Sequence, residues 1–237
     1  MILTAHQPVY LPWLGLFHKI ALADRFVSFN RVQYQPKDWN NRNRIKTPKG
    51  LLWLSVPVKR KGYLEKTISD IEIDNSQPWG RKHWNAIRHN YAKAPYFARY
   101  ADYFEDVYAR RWKTLVELNE SMLGWFLAEL GIAVAVEFAG DFDFRGSKSD
   151  LVLDMCVRLD ADIYIYGTQG RGYADERSFA NAGITLVFQD YRHPEYPQLH
   201  GGFDSHLSIV DLLFNCGDDS LSILMSGNLA PTDLRAA

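Results

Sequence analysis

Four polar stretches carry most of the side chains that could do chemistry. The first is His6-Gln7-Pro8-x-Tyr10, directly after the apolar run at 2–5. A histidine there can hold a phosphate or serve as an acid or base near neutral pH, and Gln7 and Tyr10 add hydrogen-bonding groups. The second stretch, VQYQPKDWNNRNRIK, holds Gln33, Trp39, Asn40, Arg42, Asn43 and Arg44, with Lys37, Asn41 and Lys46 beside them. Guanidinium forks suit phosphates or carboxylates, the amides add donors, and Trp39 offers a stacking face. The third, GTQGRGY, offers Gly167, Gln169, Gly170 and Tyr173; its glycines permit a close backbone approach to an anion. It is neither a Walker A loop nor a GxGxxG fingerprint. The fourth, QDYRHPEYPQ, holds Gln189, Tyr191 and His193 and is stiffened by two prolines. His193 is the second candidate acid or base.

Each stretch also has a bland reading: an end-of-strand histidine, a solvated loop, a tight strand-to-helix connection, an ordered surface turn. Their recurrence after successive strands points to a site more strongly than any one of them does. His83, His89, His200 and His206 read as surface or capping histidines. Asp211, inside the apolar SIVDLLFN, needs a buried partner and could orient His193 or an arginine. No Ser–His–Asp order and no metal-ligand spacing stands out.

The elements that must position these residues alternate. Strands are expected at 2–5, 26–29, 132–138, 163–166 and 185–188. A helix follows the first strand, with Pro12 in its first turn and Trp13, Phe17 and Ile20 on one stripe; His18 and Lys19 point away from that stripe. Between the second and third of these strands the periodicity predicts a hairpin from 51–58 and 67–73. Three helices follow, at 79–93, 95–109 and 114–130, the last closed by Gly131. Later helices are expected at 147–159 capped by Ser147, near Ser178, and from His206 or Leu207 to Asn215 after Ser205. The whole reads as an α/β fold: a mainly parallel sheet with flanking helices, Rossmann-like, carrying an inserted β-hairpin and helical segment at about 31–130. We expect a single domain over 1–237. In such sheets ligands bind beyond the carboxyl ends of the strands, where strand order reverses.

A net charge of −1 provides no global field to draw the chain to nucleic acid or anionic membranes. Cys156 and Cys216 lie in apolar helical patterns and read as buried thiols of a reducing compartment. With no signal-like start and no spanning apolar run, a cytoplasmic protein is expected.

Seven blocks, in order, are similar to those of the WbqC-like protein family: HQPVYLPWLGLFHKIALAD, VQYQPKDWNNRNRIK, WLSVPV, KAPYF, YIYGTQGRGY, FQDYRHPEYPQL and LSIVDLLFNCG. The resemblance runs from Ile2 to Gly217. Asn30-Arg31 departs from it, standing where acidic residues are expected before the VQY block. The resemblance implies a place in O-antigen or other surface-polysaccharide biosynthesis. It further implies a glycine (aminoacyl) transferase that forms an amide on a nucleotide-linked amino sugar. Its partners would be that nucleotide-activated amino sugar and an activated acyl donor, with a nucleotide or nucleotide sugar bound at the strand ends. His6 or His193 would be the base for the amine, and Arg42, Arg44 and the glycine turn would hold a phosphate or carboxylate. The opening is also similar, by fold-level analogy, to nucleotidylyltransferases, although their HxGH motif is absent; on that analogy the acyl donor is an adenylate made from ATP. A competing reading is a non-catalytic nucleic-acid or tRNA-binding module using 39–46. A third is a structural partner in a polysaccharide assembly complex.

Overall fold

The computed structural model describes residues 1–235. Five strands form one parallel sheet: β1 (Ile2–His6), β2 (Arg25–Ser28), β5 (Ala135–Phe138), β6 (Ile163–Tyr166) and β7 (Thr185–Phe188), in the order β5-β2-β1-β6-β7. β1 is central and buried almost throughout, which accounts for its unbroken apolar run. Its register pairs His6 with Ser28 on β2 and Thr4 with Ile165 on β6. Leu3, Ala5 and Val27 face α5 (Lys148–Arg158) and α6 (Glu176–Asn181), contributing to a cluster around Met155 and Phe179. Helices therefore cover both faces of the sheet.

α1 (Leu14–Ala21) departs from the expected amphipathic helix, because every residue from Leu14 to Ile20 is buried. The sheet covers one side and the C-terminal α8 (Ser220–Met225) packs against another. Leu229 O, beyond α8, takes a contact from the His18 ring at 2.9 Å. Pro12 lies outside the helix. Trp13 occupies the N-cap position, and the Pro12 carbonyl accepts from Ile209 N at 2.8 Å, at the start of α7 (Ile209–Cys216). α7 itself is capped by Ser208, a little later than expected.

The insertion lies between β2 and β5. Its hairpin is β3 (Arg42–Thr47) with β4 (Gly50–Ser55), not 51–58 with 67–73. The basic tract is thus itself a strand: Asn43 and Ile45 face inward while Arg42 and Arg44 face outward, a period-2 alternation. The 67–73 segment holds a 3-10 turn and three isolated bridges, Gln33 to Thr67, Val58 to Ile73 and Glu72 to Thr114. α2 (Trp79–Tyr91), α3 (Phe97–Ala109) and α4 (Leu115–Glu129) follow. Thr114 and Glu117 form a reciprocal capping box at the start of α4, and Gly131, at φ +67°, closes it. Ser147 sits at the N-cap of α5 without a side-chain cap bond. α9 (Pro231–Arg235) ends the described chain. Both cysteines are free and buried. Among the described residues no helix is long and apolar enough to cross a membrane.

Candidate functional site

From β1 the chain builds outward on one side through β2 and β5, and on the other through β6 and β7. Strand order therefore reverses between β1 and β6, whose carboxyl ends carry His6-Gln7 and Gly167-Thr168. His6 shares the face of β1 that holds Ile2 and Thr4, under α1. Its Nδ1–H donates to the Gln7 carbonyl at 2.8 Å, which leaves the Nε2 lone pair available. Burial, followed by the nearby charge of Lys19, brings its pKa down to about 4, so the ring is neutral at pH 7. Lys19 is 4% exposed, and its Nζ donates to the Ala5 carbonyl at 2.9 Å. Burial lowers its pKa to about 8, so it remains an ammonium at pH 7. Helical periodicity placed Lys19 on an outward face, whereas that face meets the carboxyl end of β1 at Ala5.

The loop after β1 is gripped by the insertion. Asn40 Nδ2 donates to Gln7 Oε1 at 3.2 Å and to the Pro8 carbonyl at 3.0 Å, while Asn119 Nδ2 donates to the Asn40 carbonyl at 2.8 Å. Asn43 donates to the Leu11 carbonyl and Asn41 to Val56 O. Asn40 and Asn43 are 1% and 2% exposed, so the amides expected to meet a ligand hold the scaffold instead. Tyr10 is likewise fully buried. Its hydroxyl lies 2.8 Å from His83 Nδ1 and 2.6 Å from the Tyr108 hydroxyl. His83 is therefore an interior residue, contrary to its reading as a surface histidine.

On the β2 side, Ser28 Oγ donates to Glu120 Oε1 at 2.7 Å and Asn30 Nδ2 to the same oxygen at 3.2 Å. Burial raises the Glu120 carboxyl above its ordinary range. Asn30, at the position where an acid was expected, thus contacts an acid supplied by α4, which no motif announced. Gln7, Pro8, Ser28, Asn119 and Glu120 border a cavity of about 10 Å³, the space of one water.

On the β6 side, the turn over Thr168–Gly172 is built for packing. A Cβ at Gly170 would lie 2.6 Å from the Tyr166 side chain. Thr168 Oγ1 donates to the Gln189 carbonyl at 2.8 Å. Gln189 is buried, donating from Nε2 to Gly15 O at 2.8 Å, with His18 Nδ1 at 2.7 Å. Gly167 is half-buried, and Gln169 and Tyr173 are exposed on the rim.

A second surface is aromatic and cationic. Arg42 lies 4.7 Å over Trp53, and Arg44 lies 5.8 Å from Trp39 and 5.5 Å from Trp53. Arg44 Nη2 donates to the His206 carbonyl at 3.3 Å. The His206 ring stacks on Trp13 and lies 4.3 Å from the His193 ring, while Tyr191 meets Trp13 edge-on. Burial, then His206, lowers His193 to about 4, and neither of its ring nitrogens has a protein partner. Trp39, Arg42, Arg44, Tyr191 and His193 are thereby joined. Gln33 stands apart, donating to Leu64 O. Asp211 accepts from the Tyr91 hydroxyl at 2.7 Å, so its partner is a tyrosine and not His193 or an arginine. None of His6, Arg42, Asn43, Gly170 and His193 lines the small cavity beside Gln7. Nor does any of them line a wider cleft of about 160 Å³ among Arg81, Arg110 and Arg111. Among the described residues, no three His, Cys, Asp or Glu side chains gather as a metal cluster.

Fold and crevice define a doubly wound α/β protein whose central strand ends in a neutral histidine beside a buried lysine. The chain belongs to the WbqC-like protein family, whose model matches residues 7–223. It is 38% identical over 216 residues to the uncharacterized protein Rv1507c of Mycobacterium tuberculosis (strain ATCC 25618 / H37Rv), an alignment covering 90% of this chain and 93% of that protein. No solved structure gives a significant match.

Proposed function

We propose that the protein is a transferase of surface-polysaccharide biosynthesis that forms an amide on a nucleotide-linked amino sugar, with glycine or another aminoacyl group as the acyl part. The observation that carries this reading is the placing of His6 at the point where strand order reverses, with Nδ1 committed to the Gln7 carbonyl and Nε2 without a protein partner among the described residues. In the proposed step the sugar amine attacks the acyl carbonyl, the C–N bond forms, His6 takes the amine proton and the activating group departs with the acyl-bond electrons. The aromatic–cationic surface from Trp53 to Trp13 suits the base and phosphates of a nucleotide. His193, at its edge, is the second candidate base.

The test is mass spectrometry of nucleotide-diphosphate amino sugars incubated with the protein and an aminoacyl donor. The donors are glycine with ATP, a glycyl adenylate and glycyl-tRNA. An acylated sugar is expected, and His6→Ala should reduce its rate by about 10²–10⁴-fold. Absence of product, together with absence of thermal stabilisation by every nucleotide, nucleotide sugar and donor, would sink the proposal. The alternative of a nucleic-acid module draws on the exposure of Trp39 and Trp53 beneath two guanidiniums. It is weakened because Lys46, part of the same tract, is buried and pairs with Asp204 at 3.4 Å. Binding to single-stranded RNA that falls steeply with salt would favour it.

A further inference from the structure

We infer that Lys19 is the anion-binding residue of the crevice at the end of β1, where its ammonium receives a carboxylate or phosphate oxygen of the bound ligand. This rests on reading that crevice as the ligand site. The chain buries two lysines, and they are compensated differently. Lys46, 3% exposed, is fully compensated: its Nζ donates to Gln198 Oε1 at 3.0 Å and to the Gly202 carbonyl at 2.8 Å, and pairs with the Asp204 carboxylate. Lys19 is buried to the same degree, 4% exposed, yet among the described residues its Nζ has one partner, the Ala5 carbonyl, and no acid within ion-pair reach. An ammonium carries three donors, so two are unused. A buried charge without a counter-ion is costly, and a ligand anion would offset that cost.

Lys19 meets the carbonyl immediately before His6, at the carboxyl end of the central strand and beside the reversal of strand order. The neutral ring of His6 leaves Lys19 as the cation there. An amino-acid carboxylate and a nucleotide phosphate present the same oxygens to an ammonium, and separate titrations distinguish them.

The experiment titrates inorganic phosphate, pyrophosphate and glycine at ionic strength held constant with chloride, reading thermal unfolding of the wild type and of Lys19→Met, which keeps the length and loses the charge. The wild type should gain stability with phosphate or pyrophosphate if the phosphoryl group is the ligand, and with glycine if the carboxylate is. Lys19→Met should start at an equal or higher midpoint and respond at least tenfold more weakly. A second measurement needs no variant: the Lys19 ε-carbon titration, followed by NMR, should move to higher pH when the stabilising anion is present. The inference is overturned if no anion stabilises the wild type, if Lys19→Met responds as the wild type does, or if the Lys19 titration ignores the anion. Failure of the transferase reading is separable, since it would appear as absence of acyl transfer even where an anion still binds at Lys19.

Discussion

His83 illustrates how much a single residue can hide. On a helix with four basic neighbours it reads as a surface group, yet it closes a buried relay. Its Nδ1 lies 2.8 Å from the Tyr10 hydroxyl, which lies 2.6 Å from the Tyr108 hydroxyl. Burial lowers the His83 pKa from 6.5 to about 4. The unfolded chain therefore binds a proton near pH 6.5 that the folded chain refuses until about pH 4. Stability is fully present above 6.5 and falls as the pH drops through that window, by up to about 3 kcal/mol for this one group. His6 and His193 are lowered in the same direction and act in the same window. Replacing His83 with Gln, which can still hydrogen-bond Tyr10 but does not titrate, should cost about 1–2 kcal/mol at pH 7 and flatten the loss between pH 6.5 and 4. Urea unfolding at a series of pH values measures both; an unchanged slope would show that His83 is not a source of acid lability.

At the scale of elements, two glycines make opposite predictions. Gly80 lies in the first turn of α2, where a Cβ would come within 2.4 Å of the Tyr108 carbonyl at the end of α3. That neighbour is backbone and cannot turn aside, so Gly80→Ala should force the helices apart and cost about 1–3 kcal/mol. Gly124, within α4, has nothing within 4 Å of the added carbon. Gly124→Ala should stabilise by about 0.5–1 kcal/mol through helix propensity alone. Chemical denaturation of the two variants reads both signs, and a shared sign would refute the packing argument. The elements themselves were unequally legible. β1, β2, β6 and β7 announce themselves as short runs of apolar, β-branched and aromatic residues, and the three long helices by their stripes. β3 does not, because arginines and a lysine occupy the positions that would otherwise show a period of two. The clamping roles of Asn40 and Asn43 are set by partners distant in sequence, and the burial of Lys19 by how α1 lies on the sheet, so spacing carries no sign of them. The polar loops at the strand ends were visible as a set, but which of their side chains remain free is a matter of tertiary packing.

For the whole molecule, the question is whether the insertion folds as part of the sheet or beside it. One apolar cluster runs from Tyr10 and Phe17 through Phe26, the hairpin residues Ile45 and Leu54, and helices α2–α4, to Ile209, Phe214 and Leu224 near the end of the chain. Phe126 of α4 is fully buried there, 5.8 Å from the Phe17 ring of α1 and 6.2 Å from Phe104 of α3. Removing the insertion would strip α1 and one face of β2, so neither part has a complete core of its own. The other face of the sheet, around Met155 and Phe179, forms a separate cluster and contains no tryptophan, all seven of which lie in α1's N-cap or in the insertion. Tryptophan fluorescence therefore follows one side of the molecule, while far-UV circular dichroism follows all of it. If the shared core couples them, the two signals should give the same denaturant midpoint even though chains of this length often populate intermediates. Phe126→Ala, expected to cost about 3–5 kcal/mol, should then lower both midpoints together. A fluorescence midpoint that falls while the dichroism retains a later transition would mean that the insertion unfolds independently. The clamps from Asn40 to the His6–Gln7 loop would then be a contact between units, not a product of one core.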